Sequence, residues 1–454
     1  MRSTHFQLIA ISSIFLATAA PSATRPRYGG TLHVQMQGAI VSLDPADSRQ
    51  GVTIERRNVL SLIFDTLVRL NDRGQPEPGL ALSWQAEPGN QRWQFSLRPG
   101  VRFADGTPMT PEIVAASLVR ANPNWKISAQ ETGIVIQLDA GSSDLPEELA
   151  LTRNCIAKLP SEKALGTGPF TPTEWDPGKK LVLTARDDYW DGRPFLDSVE
   201  IEMQRNLHDE TVAYELGQSQ LIEIPPEQAH HATESRELRT SRPVELVALL
   251  FAREVQSPEE MKQRKALSLS IDRDQLNRVV LQNGGEPAGA LLPDWLTGYG
   301  FLFPHTANVT SAQQLRAEVP IAHEWTLGFD VNDALARVIA DRIVLNAGEA
   351  GLRVQTLNQG TPDIRLLRVP VPSLDPEVAL TQIAQALQLP APRFLGNTAD
   401  DLYHAENALV QSQRVIPLLH VRMAWVVSKR VRSWENAPDG IWDVPDLWLA
   451  PGKP

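Results

Sequence analysis

A chain of 454 residues, 42% of them hydrophobic, holds apolar material for two or three cored units, which excludes an intrinsically disordered protein. A formal net charge of −11 excludes the basic footprint of a nucleic-acid binder. The single cysteine, Cys155, excludes an intrachain disulfide and a cysteine-rich zinc site.

The chain starts with an export pattern. Arg2 and His5 precede an apolar run over 6–16, and Ala17, Thr18, Ala19 and Ala20 follow. Positive residues, an apolar run and an A-x-A site predict a signal peptide over 1–23. The run is shorter than the roughly 20 apolar residues that span a bilayer. No cysteine stands near the cleavage point to take a lipid.

Residues 30–36 alternate apolar and polar side chains and predict a strand. Residues 54–70 carry Val59, Leu60, Ile63, Phe64 and Leu67 at helical spacing. Residues 93–97 form a strand before the turns Pro99-Gly100 and Asp105-Gly106. Thr110-Pro111 opens a helix, with Thr110 as cap and Pro111 at the first helical position. A strand over 134–138 and a helix over 144–158 come next. Within that helix Cys155 sits beside Leu151, Ile156 and Leu159, as a buried structural thiol would. Strands over 180–184 and 198–203 flank the turn DDYWDGRP, and a helix covers 209–217. A strand over 244–251 precedes a helical stretch over 258–282, broken near Asp272. Further strands fall over 325–329, 352–357 and 364–369, with a helix over 333–347 between the first two. Helices over 376–387 and 402–413 precede a strand-like run over 416–427. Such mixing without strict βαβ order predicts an α/β protein with mixed sheets. A break falls near Arg242-Pro243, and the tail from Arg432 packs back onto the first half.

Several stretches carry a resemblance. They are YGGTLHV at 28–34, LDP at 43–45, IFDTLVRL at 63–70, PGLALSW at 78–84 and WQFSLRPGVRFADGTPMTPEIV at 93–114. GTGPF at 166–170, WDPG at 175–178, DDYWDGRP at 187–194, KALSLSIDRDQL at 265–276 and IWDVPDLWL at 441–449 complete the set. In number, order and spacing they resemble the family 5 extracellular solute-binding proteins, which serve bacterial ABC importers for dipeptides, oligopeptides and nickel. The resemblance implies a two-lobed, type II-like periplasmic-binding-protein fold, a Venus-flytrap closing on its ligand. Lobe I is expected over 24–242 and 430–454, with an inserted subdomain over about 49–165, and lobe II over 243–429. Residues 310–428 are short against the family pattern, which implies a reduced second lobe. The implied function is the periplasmic substrate-binding component of an ABC importer. It would act as a monomer, bind a peptide or small organic solute and deliver it to an ABC transporter permease. The short second lobe motivates an alternative: a transport-incompetent derivative acting as a sensor, chaperone or interaction protein.

A peptide pocket needs an anion for the amino end, a cation for the carboxylate and flat apolar walls. Asp375, before Pro376, is the candidate anion, with a helix cap as its plain structural alternative. Arg368, or Arg365, is the candidate cation; the alternative is a solvated strand edge. Trp295, Tyr299, Trp325 and Trp425 are candidate walls or core. His230-His231 are neighbours on a helix and point apart, so they make a poor chelate. The other histidines lack HExxH-like spacing, and no GxSxG, Walker or dinucleotide-binding pattern occurs. No catalytic residue, metal or cofactor is therefore expected.

Overall fold

A computed structural model describes residues 25–47, 49–158, 165–232, 237–321, 323–357, 359–435 and 438–451; the predicted signal peptide lies outside them. Among the described residues, eleven strands form one mixed sheet. One half of it orders Arg353–Leu357, Glu324–Gly328 and Ile364–Pro370. The other half orders Leu221–Ile224, Thr31–Gln35, Ser198–Glu202, Lys180–Ala185 and Phe170–Asp176. Two long antiparallel strands, Leu238–Phe251 and Val415–Val427, lie between them and belong to both halves. Gly285–Pro287 adds a short strand to the second of these.

The expected break at Arg242-Pro243 falls inside the strand Leu238–Phe251. Its ladder shifts register between Thr240 and Pro243 and again between Pro243 and Glu245. Proline has no N–H to give to a ladder, and a bulge tolerates that loss. Beyond the bulge the strand alternates as a two-sided core strand should. Val247, Leu249 and Phe251 face one far-half core, shared with the helix Ala334–Glu349. Leu246, Ala248 and Leu250 face a second core, shared with the helices Pro376–Ala386 and Ala399–Gln411. The near half has its own core under the helix Ile54–Ile63, and the tail adds Trp442, Val444 and Leu447 to it.

Among the described residues a separate four-stranded sheet orders Ala81–Ala86, Arg92–Leu97, Gly133–Gln137 and Lys126–Gln130. The helix Pro111–Ala121 covers it, capped by Thr110 with Pro111 in its first turn as the sequence predicts. Phe95, Phe103, Leu118 and Ile134 fill its core.

Two predicted helices are shorter than their patterns. The helix expected over 54–70 ends at Ile63, and Phe64 is extended. The Ile63 carbonyl accepts a hydrogen bond from the Gly168 N–H at 3.0 Å. A distant part of the chain thus takes the bonding group that further helix would have used. The helix expected over 144–158 is a short turn, Leu145–Glu148, and a 3-10 turn, Thr152–Asn154. The Asn154 amide donates to the Glu148 carbonyl at 2.6 Å and replaces the backbone bond that would have continued it.

Candidate ligand-binding cleft

The two halves meet along the helix Ile54–Ile63. Arg57, buried on that helix, donates from Nη1 to the Val371 carbonyl at 3.0 Å and from Nη2 to Asp439 at 3.2 Å. Val371 directly follows the far-half strand Ile364–Pro370. A second bridge is Arg153, which donates to Gln382 Oε1 at 2.6 Å on the helix Pro376–Ala386. A third is the near-half turn at Gly74, where φ is +74° and a Cβ would lie 2.5 Å from the Leu374 carbonyl oxygen. Only glycine allows that approach without strain.

These bridges border a cleft of about 640 Å3. Ser61, Asp65 and Arg69 line it from the near half, and Thr152 from the segment after the small sheet. Ser373 and Leu374 line it from the far half, and Trp442 and Asp443 from the tail.

Asp65 organises the near wall. Its carboxylate accepts from Thr167 Oγ1 at 2.9 Å, Tyr189 OH at 3.0 Å, Trp190 Nε1 at 2.9 Å and Arg69 Nη2 at 3.1 Å. Four donors hold the buried charge. Arg69 also reaches Asp191 at 2.8 Å and lies over the Trp190 ring. Burial and the Asp65 carboxylate push the Tyr189 phenol well above its ordinary range. Asp65 stands in IFDTLVRL, Thr167 in GTGPF, and Tyr189 and Trp190 in DDYWDGRP. Three separated sequence motifs therefore meet at one carboxylate. An acid inside the apolar stretch 62–68 was the available signal, and sequence reasoning passed over it.

The singled-out residues disperse. Asp375 caps the helix Pro376–Ala386, accepting from the Val378 N–H at 2.9 Å. Burial raises its pKa, and Asp144 adds to the rise. Burial with Asp375 and Asp144 nearby brings Glu147 up to about 7. Arg368 lies on an interior strand rather than at an edge, because Ile364–Pro370 is flanked on both sides. It pairs with Glu245 at 2.5 Å and Asp333 at 3.2 Å, and it lines another cavity of about 430 Å3, together with Arg365.

Trp295 donates from Nε1 to the Pro243 carbonyl at 2.7 Å and lies under the Arg242 guanidinium. Tyr299 is buried and donates to Glu406 at 2.8 Å. Trp325 is buried edge-on to Phe251. Trp425 is buried against Trp434 at 6.2 Å between ring centres. None of these four lines the cleft; Trp442, from the motif IWDVPDLWL, does. His230 Nδ1 lies 3.1 Å from the Glu227 carbonyl. Among the described residues no group of three or more His, Cys, Asp or Glu is arranged to hold a metal. Burial raises the Cys155 thiol far above its ordinary range, so it remains protonated.

Residues 75–363 match the family model described as bacterial extracellular solute-binding proteins, family 5 Middle. The periplasmic murein peptide-binding protein MppA of Escherichia coli K12 is 26% identical over 340 residues, 64% of this chain and 62% of that protein. The oligopeptide-binding protein AppA of Bacillus subtilis is 22% identical over 303 residues, 60% of this chain and 55% of that protein. The chain thus spans less than two thirds of the length of these curated relatives. Among solved structures, AgaA from Agrobacterium tumefaciens R10 with agropinic acid superposes with a TM-score of 0.78 at 19% identity, covering 93% of this chain and 99% of that one. NikA from Staphylococcus aureus with Ni(L-His)2 superposes at 0.76 and 16% identity, covering 92% of this chain and 100% of that one. The fold is the two-lobed one of these binding proteins.

Proposed function

We propose that this chain, which belongs to the bacterial extracellular solute-binding proteins of family 5, is the substrate-binding component of an ABC importer and encloses a peptide or similar organic solute. The observation that carries this reading is the cleft walled by both halves of a molecule that two long strands join. We take lobe I as 24–242 and 430–454 and lobe II as 243–429. The register shifts between Thr240 and Glu245 supply backbone that can absorb a hinge rotation. The helix Ile54–Ile63 packs in the main near-half core, which supports a later start than 49 for the inserted subdomain. The names of MppA and AppA support a peptide-like solute.

The export pattern over 1–23 supports a periplasmic location, and a permease is the partner such a role requires. The role asks for a monomer and for no bond-making chemistry. The cleft suits binding without reaction: Asp65 is held by four donors and Cys155 stays protonated.

Small-angle scattering and thermal unfolding with a peptide library test this reading. A binding peptide is expected to raise the unfolding temperature and reduce the radius of gyration together. A library that produces neither change removes the reading.

A further inference from the structure

We infer that the segment 144–154 is a polar latch, by which the unit built on the four-stranded sheet catches the far half when the cleft closes, and that protons are part of the catch. Its purpose rests on the binding role proposed for the cleft, whose opening it would regulate.

The segment is fixed to the small-sheet unit. Leu145, Leu149 and Ile156 pack in that unit's core beside Phe95 and Leu118. The Asn122 amide, at the end of the helix Pro111–Ala121, donates to Asn154 Oδ1 at 2.7 Å, and the Ala157 N–H donates to Ser117 Oγ at 3.0 Å. So held, the segment presents Arg153 to the far half. Arg153 Nη1 reaches Gln382 at 2.6 Å on the helix Pro376–Ala386, and Nη2 reaches Glu148 beside it. Among the described residues no apolar cluster spans this contact: the core under the small sheet and the two far-half cores share no residue. Contacts between units that move against one another are polar in this way.

Charge makes the latch conditional. Asp144, Glu147 and Glu148 face the contact from the small-sheet unit. Asp375 and Glu377 face it from the far half, and Asp401 on the helix Ala399–Gln411 acts on Glu377. Arg153 is the cation at this contact, and it is already bonded to Glu148. Asp144 and Glu377 meet across the gap, where the protonated Glu377 carboxyl donates to Asp144. Glu147 Oε2 is buried and has no hydrogen-bond partner among the described residues. Burial, with carboxylates opposite, brings Glu147 and Glu377 each up to about 7. Once the halves part, both acids return to water and ionise near the ordinary 4.5. Closure therefore takes up protons. The closed form has its full proton-linked advantage below 4.5 and loses it as pH rises through 7.

Small-angle scattering and amide exchange test this on the full chain, freed of co-purified solute by partial unfolding and refolding, at about pH 5.5 and about pH 8. The radius of gyration is expected to be larger at the higher pH. Protection of the Asn154 and Cys155 amides, bonded within the segment, should fall about tenfold once the intrinsic pH dependence of exchange is removed. The double variant E147Q/E377Q should stay compact at both pH values. Gln382→Ala should be as extended at the lower pH as the parent chain is at the higher, with native circular dichroism throughout. A radius that is the same at both pH values and unmoved by Gln382→Ala would overturn the latch. A pH-dependent radius that persists in E147Q/E377Q would overturn the role of protons. The expected behaviour in a chain that binds no peptide would keep the latch and remove the binding reading. Peptide binding beside a radius that pH and both variants leave alone would do the reverse.

Discussion

Leu291 sits between two buried ionisable side chains that titrate in opposite senses. Its N–H donates to Glu406 Oε1 at 2.6 Å, and its carbonyl lies 3.1 Å from His420 Nε2. Glu406 also accepts from the Leu292 N–H at 2.8 Å and from Tyr299. Burial pushes Glu406 up to about 7 and His420 down to about 4. The signs follow from proton uptake. Unfolded His420 takes a proton near 6.5 and the native residue only near 4, so its contribution is full above 6.5 and is lost as pH falls toward 4. Unfolded Glu406 releases its proton near 4.5 and the native residue near 7, so its contribution is full below 4.5 and is lost as pH rises through 7. The two slopes oppose one another. Relative to the parent chain, Glu406→Gln should lose more stability as pH falls from 6.5 to 4. His420→Gln should lose more as pH rises from 4.5 to 7. Urea midpoints across that range measure both. Glu406→Ala strands two backbone donors and a phenol, and at pH 6 it should cost about 3 kcal/mol by the same measurement. From sequence, Tyr299 read as a pocket wall because nothing local ties it to a glutamate 107 positions away.

At the level of elements, local signals fared well where the deciding physics is local. Thr110-Pro111 starts its helix, Asp272 caps the turn after the helix Pro258–Ser270, and Asp375 caps Pro376–Ala386. The misses occurred where a remote segment intervened. The helix at 54 stops because Gly168 occupies its end, and the 144–158 pattern breaks because Asn154 turns back on Glu148. A Cβ on Gly168 would stand 2.5 Å from the Ile63 carbonyl carbon and 2.7 Å from the Phe64 nitrogen. Gly168→Ala must therefore move backbone. It should destabilise by about 1–3 kcal/mol in urea unfolding. It should also loosen the Asp65 cluster, read as a blue-to-red change in Trp190 fluorescence. Gly51→Ala, where φ is not positive and a Cβ meets open space, is the control for loss of glycine backbone freedom.

For the whole molecule, the order of motifs made the two-lobed fold legible, but not the composition of the cleft. Its walls draw on residues 57–72, 150–155, 169, 189–191, 372–374 and 438–446, so the segments that form it are scattered along the chain. Aromatic residues proposed as walls went to the cores because apolar area favours burial wherever the fold offers it. The bridge from Arg57 to the Val371 carbonyl holds the halves together. Arg57→Met keeps most of the apolar stem and removes that bond. It should shift the solute-free chain toward an open arrangement, seen as a larger radius of gyration in scattering and faster amide exchange at 371–374. An unchanged scattering curve and exchange rate would show that other contacts set the separation.

The two long strands have a mechanical consequence. They are hydrogen-bonded to one another from Leu238 to Leu250, and each is also stitched into the sheet on its other side. A ladder of this kind resists shear along the strands and yields most readily to twist and out-of-plane bending. The halves therefore move less like beads on two threads than like the leaves of one torsion blade. Their relative motion reduces to little more than a single angle. One pair of fluorescent labels across the opening would report that angle for the whole molecule, whatever solute sets it.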